Sequence, residues 1–355
     1  MKGEREIMGN KRAAVRRVLA GLSVLLVMTL MAGCPRPAAE TPPPGPEQDP
    51  VQAAIIFSIV NPARAGGWDR ADWAGILALR EEFGWEVTVA EGVPYGQVAA
   101  TAAGFAEAGY DIVIFPDAGM TDAWHEVSPK YPKTWFVMMS MAEQLPASPR
   151  VAAWSPDLYA YGQMLGVAAA KSSQTGTIGL LGGVPVPVIA YLFSGAVEAA
   201  RFVRPDIRVL TNFVGDWVDV TAHREITALQ VREGADVVFA LTGPGILGSY
   251  EAAIAGNARV IGHAWDLHED APDAILTSMV LDKPRMYRDL ARQFEADMLE
   301  KKIVDVGVEY FKLADFRGAI PQATVDEINE LVEKLRGGEL PVPKVVHSIE
   351  DLLKR

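Results

Sequence analysis

The chain has 355 residues, half of them apolar, with 33 Lys and Arg against 45 Asp and Glu. That apolar content excludes a disordered chain and provides for a large core. Removing the six basic and two acidic residues ahead of Cys34 leaves 27 against 43, a net charge of −16. Such a body repels phosphate backbones and anionic surfaces, which excludes nucleic acid as a partner.

In chain order, the first 33 residues have the three parts of an export signal. Lys11, Arg12, Arg16 and Arg17 form a basic region, residues 18–30 an apolar one, and Ala32-Gly33 a small-residue cleavage site. The apolar run falls short of the roughly 20 residues that a membrane-spanning helix needs. Cys34, the single cysteine of the chain, follows directly. The arrangement resembles a bacterial lipobox, although Met31 stands where a branched aliphatic residue is usual. It predicts a signal peptide over 1–33, a lipid on Cys34 and an extracytoplasmic protein anchored to a membrane. A lone cysteine also excludes a disulfide framework, so the core must supply the stability. Residues 34–50, rich in Pro, Ala and Glu, read as an extended tether.

From Val51 onward short β-rich runs alternate with helical patterns. Strands are predicted over 53–60, 86–90, 111–115, 178–181, 209–213, 237–240 and 260–262. Helices are predicted over 69–83, 97–108, 187–203, 222–233 and 247–255. This alternation implies parallel sheets covered by helices on both faces. Gly109-Tyr110-Asp111-Ile112-Val113-Ile114-Phe115 is echoed by Gly234-Ala235-Asp236-Val237-Val238-Phe239-Ala240, and a glycine-bearing loop follows each. Two similar α/β halves would place loops at the carboxyl ends of strands, where open parallel sheets bind ligands. The same Gly-x-Asp pattern also serves as ordinary punctuation between helix and strand.

An ordered set of short motifs then resembles the basic membrane protein family, the purine nucleoside receptor-like lipoproteins. It begins with Gly67-Trp68-Asp69-Arg70-Ala71-Asp72-Trp73-Ala74-Gly75 and continues through Gly109-Tyr110-Asp111, Tyr161 with Gly166, and Ile178-Gly179 with Gly182-Gly183. Phe193 with Gly195-Ala196, Gly215-Asp216-Trp217 with Asp219, Gly234-Ala235-Asp236-Val237 and Leu276-Thr277-Ser278 complete it. The resemblance implies an α/β, type I periplasmic-binding-protein fold: two Rossmann-like lobes with parallel sheets, joined by a three-strand hinge and closing on a solute. It places lobe 1 over 51–154, lobe 2 over 155–280 and the returning crossovers over 281–355, with hinge passages near 154–157, 277–283 and 311–316. It implies a small-molecule ligand, a purine base or nucleoside, handed to an ABC permease, and it implies no enzyme activity and no cofactor.

Candidate ligand contacts come partly from the resemblance and partly from the residues themselves. Trp68 occupies the place of an aromatic residue that stacks on a purine, and Asp69 replaces the usual Asn beside it. A carboxylate there accepts N–H bonds from a base edge or O–H bonds from a sugar, although Asp69 reads equally as a helix cap. Asp117 lies in the loop after a strand, where it also suits a turn. Phe213 and Trp217 are candidates for the second side of an aromatic sandwich, and Trp265 and Asp266 sit in the run Gly262-His263-Ala264-Trp265-Asp266. Nucleoside binders of the family carry Asp-x-Asp in that run, so Ala264 replaces a ribose contact. Val280-Leu281 stands where they usually carry Lys. The expected ligand is therefore a flat ring with little or no ribose.

Other readings find less support. There is no His-Glu-x-x-His, Gly-x-Ser-x-Gly or Walker A lysine. Asp266, His268, Glu269, Asp270 and Asp273 offer hard donors to a metal, but they read better as a solvated acidic loop, so no metal site is assigned. The same lobes binding riboflavin or a sugar, or serving a ligand-sensing receptor instead of a transporter, remain the alternatives.

Overall fold

The computed structural model describes residues 49–354. The expected signal peptide, Cys34 and nearly all of the tether lie outside the described residues.

Twelve strands among these residues form two six-stranded sheets. The first contains β1 (Gln52–Ile56), β2 (Glu86–Ala90), β3 (Ile112–Phe115), β4 (Trp135–Met138), β5 (Val151–Pro156) and β11 (Ile303–Val306). They run β11-β5-β4-β3-β1-β2, every pair parallel. The second contains β6 (Thr177–Gly182), β7 (Arg208–Phe213), β8 (Val237–Leu241), β9 (Arg259–Ala264), β10 (Ile275–Leu281) and β12 (Phe311–Leu313). Its order is β12-β10-β9-β8-β6-β7, parallel except for β12, which runs antiparallel to β10.

The strands read as continuous apolar runs because both faces are covered. Along β1, Ala53 and Ile55 enter one core cluster and Ala54 and Ile56 another, the two-residue period of a strand. Helices α1 (Gly67–Phe83) and α8 (Lys283–Glu295) cover one face of the first sheet, and α2 (Tyr95–Glu107) and α3 (Thr121–Val127) the other. The second sheet lies between α4 (Leu158–Ser172) with α5 (Pro187–Val203) and α6 (Val220–Arg232) with α7 (Ile246–Ala255). Two further helices, α9 (Gln322–Arg336) and α10 (Ile349–Leu353), pack against α4 and α5. The echoed Gly109 and Gly234 have a common backbone cause: both take positive φ, 89° and 105°, just before β3 and β8.

The chain passes between the sheets three times: from β5 into α4, from β10 into α8, and from β11 to β12. The third passage occupies residues 307–310 and so precedes the 311–316 expected, because Phe311 to Leu313 already pair with β10. The first strand is also shorter than the 53–60 expected. It ends at Ile56, and Asn61 in a left-handed conformation leads into a turn begun by Pro62. The architecture is a two-lobed α/β fold with parallel sheets and a three-passage hinge.

Candidate functional site

At the amino end of α1 the backbones of the two lobes touch. Its cap is Gly66, with no side-chain bond, so Asp69 belongs to the first turn and does not cap the helix. A Cβ on Gly66 would stand 2.9 Å from the carbonyl oxygen of Thr242, and one on Gly67 only 1.8 Å from that of His263. Only glycine lets the lobe-1 backbone touch lobe 2 in this way. One turn on, Arg70 bridges the same seam to Asp270 at 2.9 Å.

Trp68 follows these glycines. Its indole N–H donates to the Pro116 carbonyl at 3.0 Å, and its ring stacks on His263 with centroids 5.7 Å apart and planes 11° from parallel. The ammonium of Lys283 lies 3.5 Å from the indole centroid, a cation–π contact. Trp68 and Asp72 are i and i+4, hence on one helix face. Lys283, wholly buried, donates to Asp72 Oδ2 at 2.6 Å while Tyr287 donates to Oδ1 at 2.8 Å. Burial pushes the Asp72 carboxyl up and the Lys283 ammonium down, and their mutual attraction opposes both shifts.

Asp69 stands beside this pair. Burial, and next the charge of Asp72, push its carboxyl up to about 7. Asp117 closes the group from the loop after β3: its Oδ1 accepts the Gly119 N–H at 2.8 Å and its Oδ2 the hydroxyl of Tyr95. Trp68, Asp69 and Asp117 are thus brought together.

On the lobe-2 side, the Tyr161 hydroxyl donates its proton to the Met279 carbonyl and accepts the Ala264 N–H at 3.0 Å. The His263 Nδ1, 2.9 Å away, must therefore be the donor of its contact with that hydroxyl. Burial holds this imidazole neutral, pushed down to about 3. Ala264 has φ +62°, a strained conformation for alanine that bends the chain out of β9 toward the seam.

The remaining candidates are more dispersed. Trp217 covers the end of β6, where a Cβ on Gly183 would lie 2.2 Å from its ring, and it also packs on Gly243, which Gly66 touches from lobe 1. Phe213 packs on Phe193 at 5.7 Å and joins the lobe-2 core. Trp265 presents its backbone N–H to the His263 carbonyl at 2.8 Å while its side chain packs with the cluster containing Tyr250 and Leu267. Asp266 is engaged by Arg317 at 2.5 Å, and Asp270 by Arg70, so the acidic loop is laced with ion pairs. Among the described residues no group of three His, Cys, Asp or Glu is arranged to hold a metal ion.

Sequence reasoning missed Asp72, His263, Tyr161 and Lys283. The i,i+4 spacing of Trp68 and Asp72 could have exposed the first. Lys283 had no such signal, since Asp282-Lys283-Pro284 reads as an ordinary helix start, with Asp282 capping Arg285 N–H.

A family description, ABC transporter substrate-binding protein PnrA-like (Bmp), matches residues 54–343. The chain belongs to this family. It is a family of solute-binding proteins and not of enzymes. The chain is 27% identical over 197 residues to basic membrane protein A of Borreliella afzelii, an alignment spanning 54% of this chain and 61% of that protein. It is 25% identical over 293 residues to a purine-binding protein of Brucella abortus, covering 81% of each. A solute-binding protein of an ABC transporter system from Conexibacter woesei superposes with a TM-score of 0.68 at 21% identity, over 84% of this chain and all of that one, which establishes the shared fold. No helix among the described residues is long and apolar enough to cross a membrane.

Proposed function

We propose that this Bmp-family chain is the extracytoplasmic binding component of an ABC importer, held to its membrane by a lipid on Cys34, and that its ligand is a purine base. The carrying observation is the meeting of Trp68, Asp69 and Asp117 at the seam closed by Gly66 and Gly67. An indole stacks on any flat ring, worth roughly 1–3 kcal/mol per base in comparable sites, and here a ligand ring would take the place that His263 or Lys283 holds against Trp68. Carboxylates beside it accept N–H bonds from the ring edge.

The base is favoured over its nucleoside by what the seam lacks. Ala264 stands where nucleoside binders of the family carry a ribose-binding Asp, and Leu281 is part of the buried strand β10 in place of a lysine. The purine-binding relative from Brucella abortus supports the ligand class.

Thermal unfolding against adenine, hypoxanthine, their nucleosides, riboflavin and simple sugars tests the reading. A ligand bound only by the folded state adds about 2.7 kcal/mol at a hundredfold excess over its Kd. A large rise in Tm with a purine base and a smaller one with its nucleoside is expected. A rise only with a sugar or flavin would retain the binding-protein role and discard the purine.

A further inference from the structure

Two groups cover the indole of Trp68, and they come from different lobes. The Lys283 ammonium, 3.5 Å from the ring centroid, is bonded to Asp72 of α1 at 2.6 Å and lies 3.4 Å from the Pro116 carbonyl, the same carbonyl that accepts the indole N–H. Helices α1 and α8 and the loop after β3 all belong to the first sheet, so Lys283 travels with the indole. His263 belongs to β9 of the second sheet and stacks on the indole from across the seam. When the lobes part, Lys283 stays and His263 leaves. The side of Trp68 that opening uncovers is therefore the side that His263 covers.

His263 is also held in a fixed attitude by its own lobe. Its Nδ1–H donates to the Tyr161 hydroxyl at 2.9 Å, and that hydroxyl is fixed in turn by the Met279 carbonyl and the Ala264 N–H. The rings of Tyr161 and Phe239 stand nearly perpendicular to the imidazole, at 85° and 83° with centroids 5.5 and 5.8 Å away. Boxed in by these two rings, the imidazole turns its flat face to the indole, 11° from parallel with centroids 5.7 Å apart. Burial keeps it neutral. A flat, uncharged nitrogen heterocycle stacked on Trp68 is the chemistry expected of the ligand, and an imidazole is the five-membered half of a purine.

We propose that His263 is a built-in competitor: with the lobes closed, its imidazole fills the place that a ligand ring takes against Trp68, and a ligand binds by taking the indole from it. The inference rests on the flat-ring reading above and adds what the ligand displaces. The self-made stack lowers the apparent affinity for every ring, since binding draws only on the fraction of molecules in which it is parted.

Calorimetric titration of the wild type and His263→Asn with hypoxanthine tests the proposal. The asparagine amide can keep a donor toward the Tyr161 hydroxyl while removing the ring, and unliganded Tm values check that the variant folds. Hypoxanthine should bind His263→Asn about two- to tenfold more tightly than the wild type, the range expected for loss of one aromatic stack from the competing state. In His263→Ala, free imidazole can refill the place, so it should weaken hypoxanthine binding more than it does in the wild type. Equal or weaker binding by His263→Asn, or an equal effect of imidazole on both proteins, overturns the competitor and leaves the flat ring standing. If hypoxanthine binds none of the three proteins, the flat-ring reading falls and this inference with it.

Discussion

Helix α1 presents two unlike sides. Toward α8 it carries Asp72, joined to Lys283 and Tyr287 with both charged groups wholly buried. Toward lobe 2 it carries Arg70, whose pair with Asp270 is 21% and 30% exposed, beside two glycines that merely touch opposing backbone. The first contact sits where the chain leaves β10 for α8, and undoing it would strand charge away from water. The second, made of this ion pair and the stack of Trp68 on His263, can part at a smaller cost, because water replaces the ion pair. One side is built as a fixed joint and the other as a seam that opens and closes, the division a hinged binding protein requires.

The comparison is tested most severely at the joint. Replacing Lys283 with Met strands Asp72, a change that typically costs about 3–5 kcal/mol. In a chain of this size we expect a Tm fall on the order of 10 °C. Adding Asp72→Leu should recover much of it, because an apolar pair of similar volume often matches a buried ion pair. A Lys283→Met variant as stable as the wild type would mean that the joint is not fixed by this pair.

At the seam, Trp68→Ala should leave the fold intact and weaken hypoxanthine binding by about 1–3 kcal/mol, roughly five- to 150-fold, read by calorimetric titration. Unchanged affinity would separate the indole from the ligand. The smallest effect is expected from Arg70→Ala. A half-solvated pair contributes about 0.2–1 kcal/mol, so chemical denaturation should shift only slightly. A loss as large as that of Lys283→Met would erase the distinction between the two sides.

How much of this was legible in the sequence follows from which signals are local. Strand Glu86–Ala90 and helix Pro187–Val203 have the bounds the sequence predicts, since Gly84 in a left-handed conformation ends the helix before the first and Pro187 opens the second. Strands as short as Ile303–Val306 and Phe311–Leu313 carry too few residues for a period and exist because neighbours in their sheets complete them. The site divides in the same manner. Trp68, Asp69 and Asp117 lie next to helix and strand ends that local patterns mark. Lys283 and His263 become site residues only when 211 positions of chain are folded back to put the lysine on Asp72, and when Tyr161 fixes the imidazole from a helix more than a hundred residues away.

The most direct test of the seam is small-angle scattering from the wild type and Gly67→Ala in saturating hypoxanthine. A Cβ at position 67 would fall 1.8 Å from the His263 carbonyl oxygen, too close for the lobes to meet, while the first turn of α1 itself accepts alanine. The account predicts a smaller radius of gyration for the wild type than for the variant, with similar Tm values in the absence of ligand. Equal radii would contradict it, showing that the lobes do not close through the glycine end of α1.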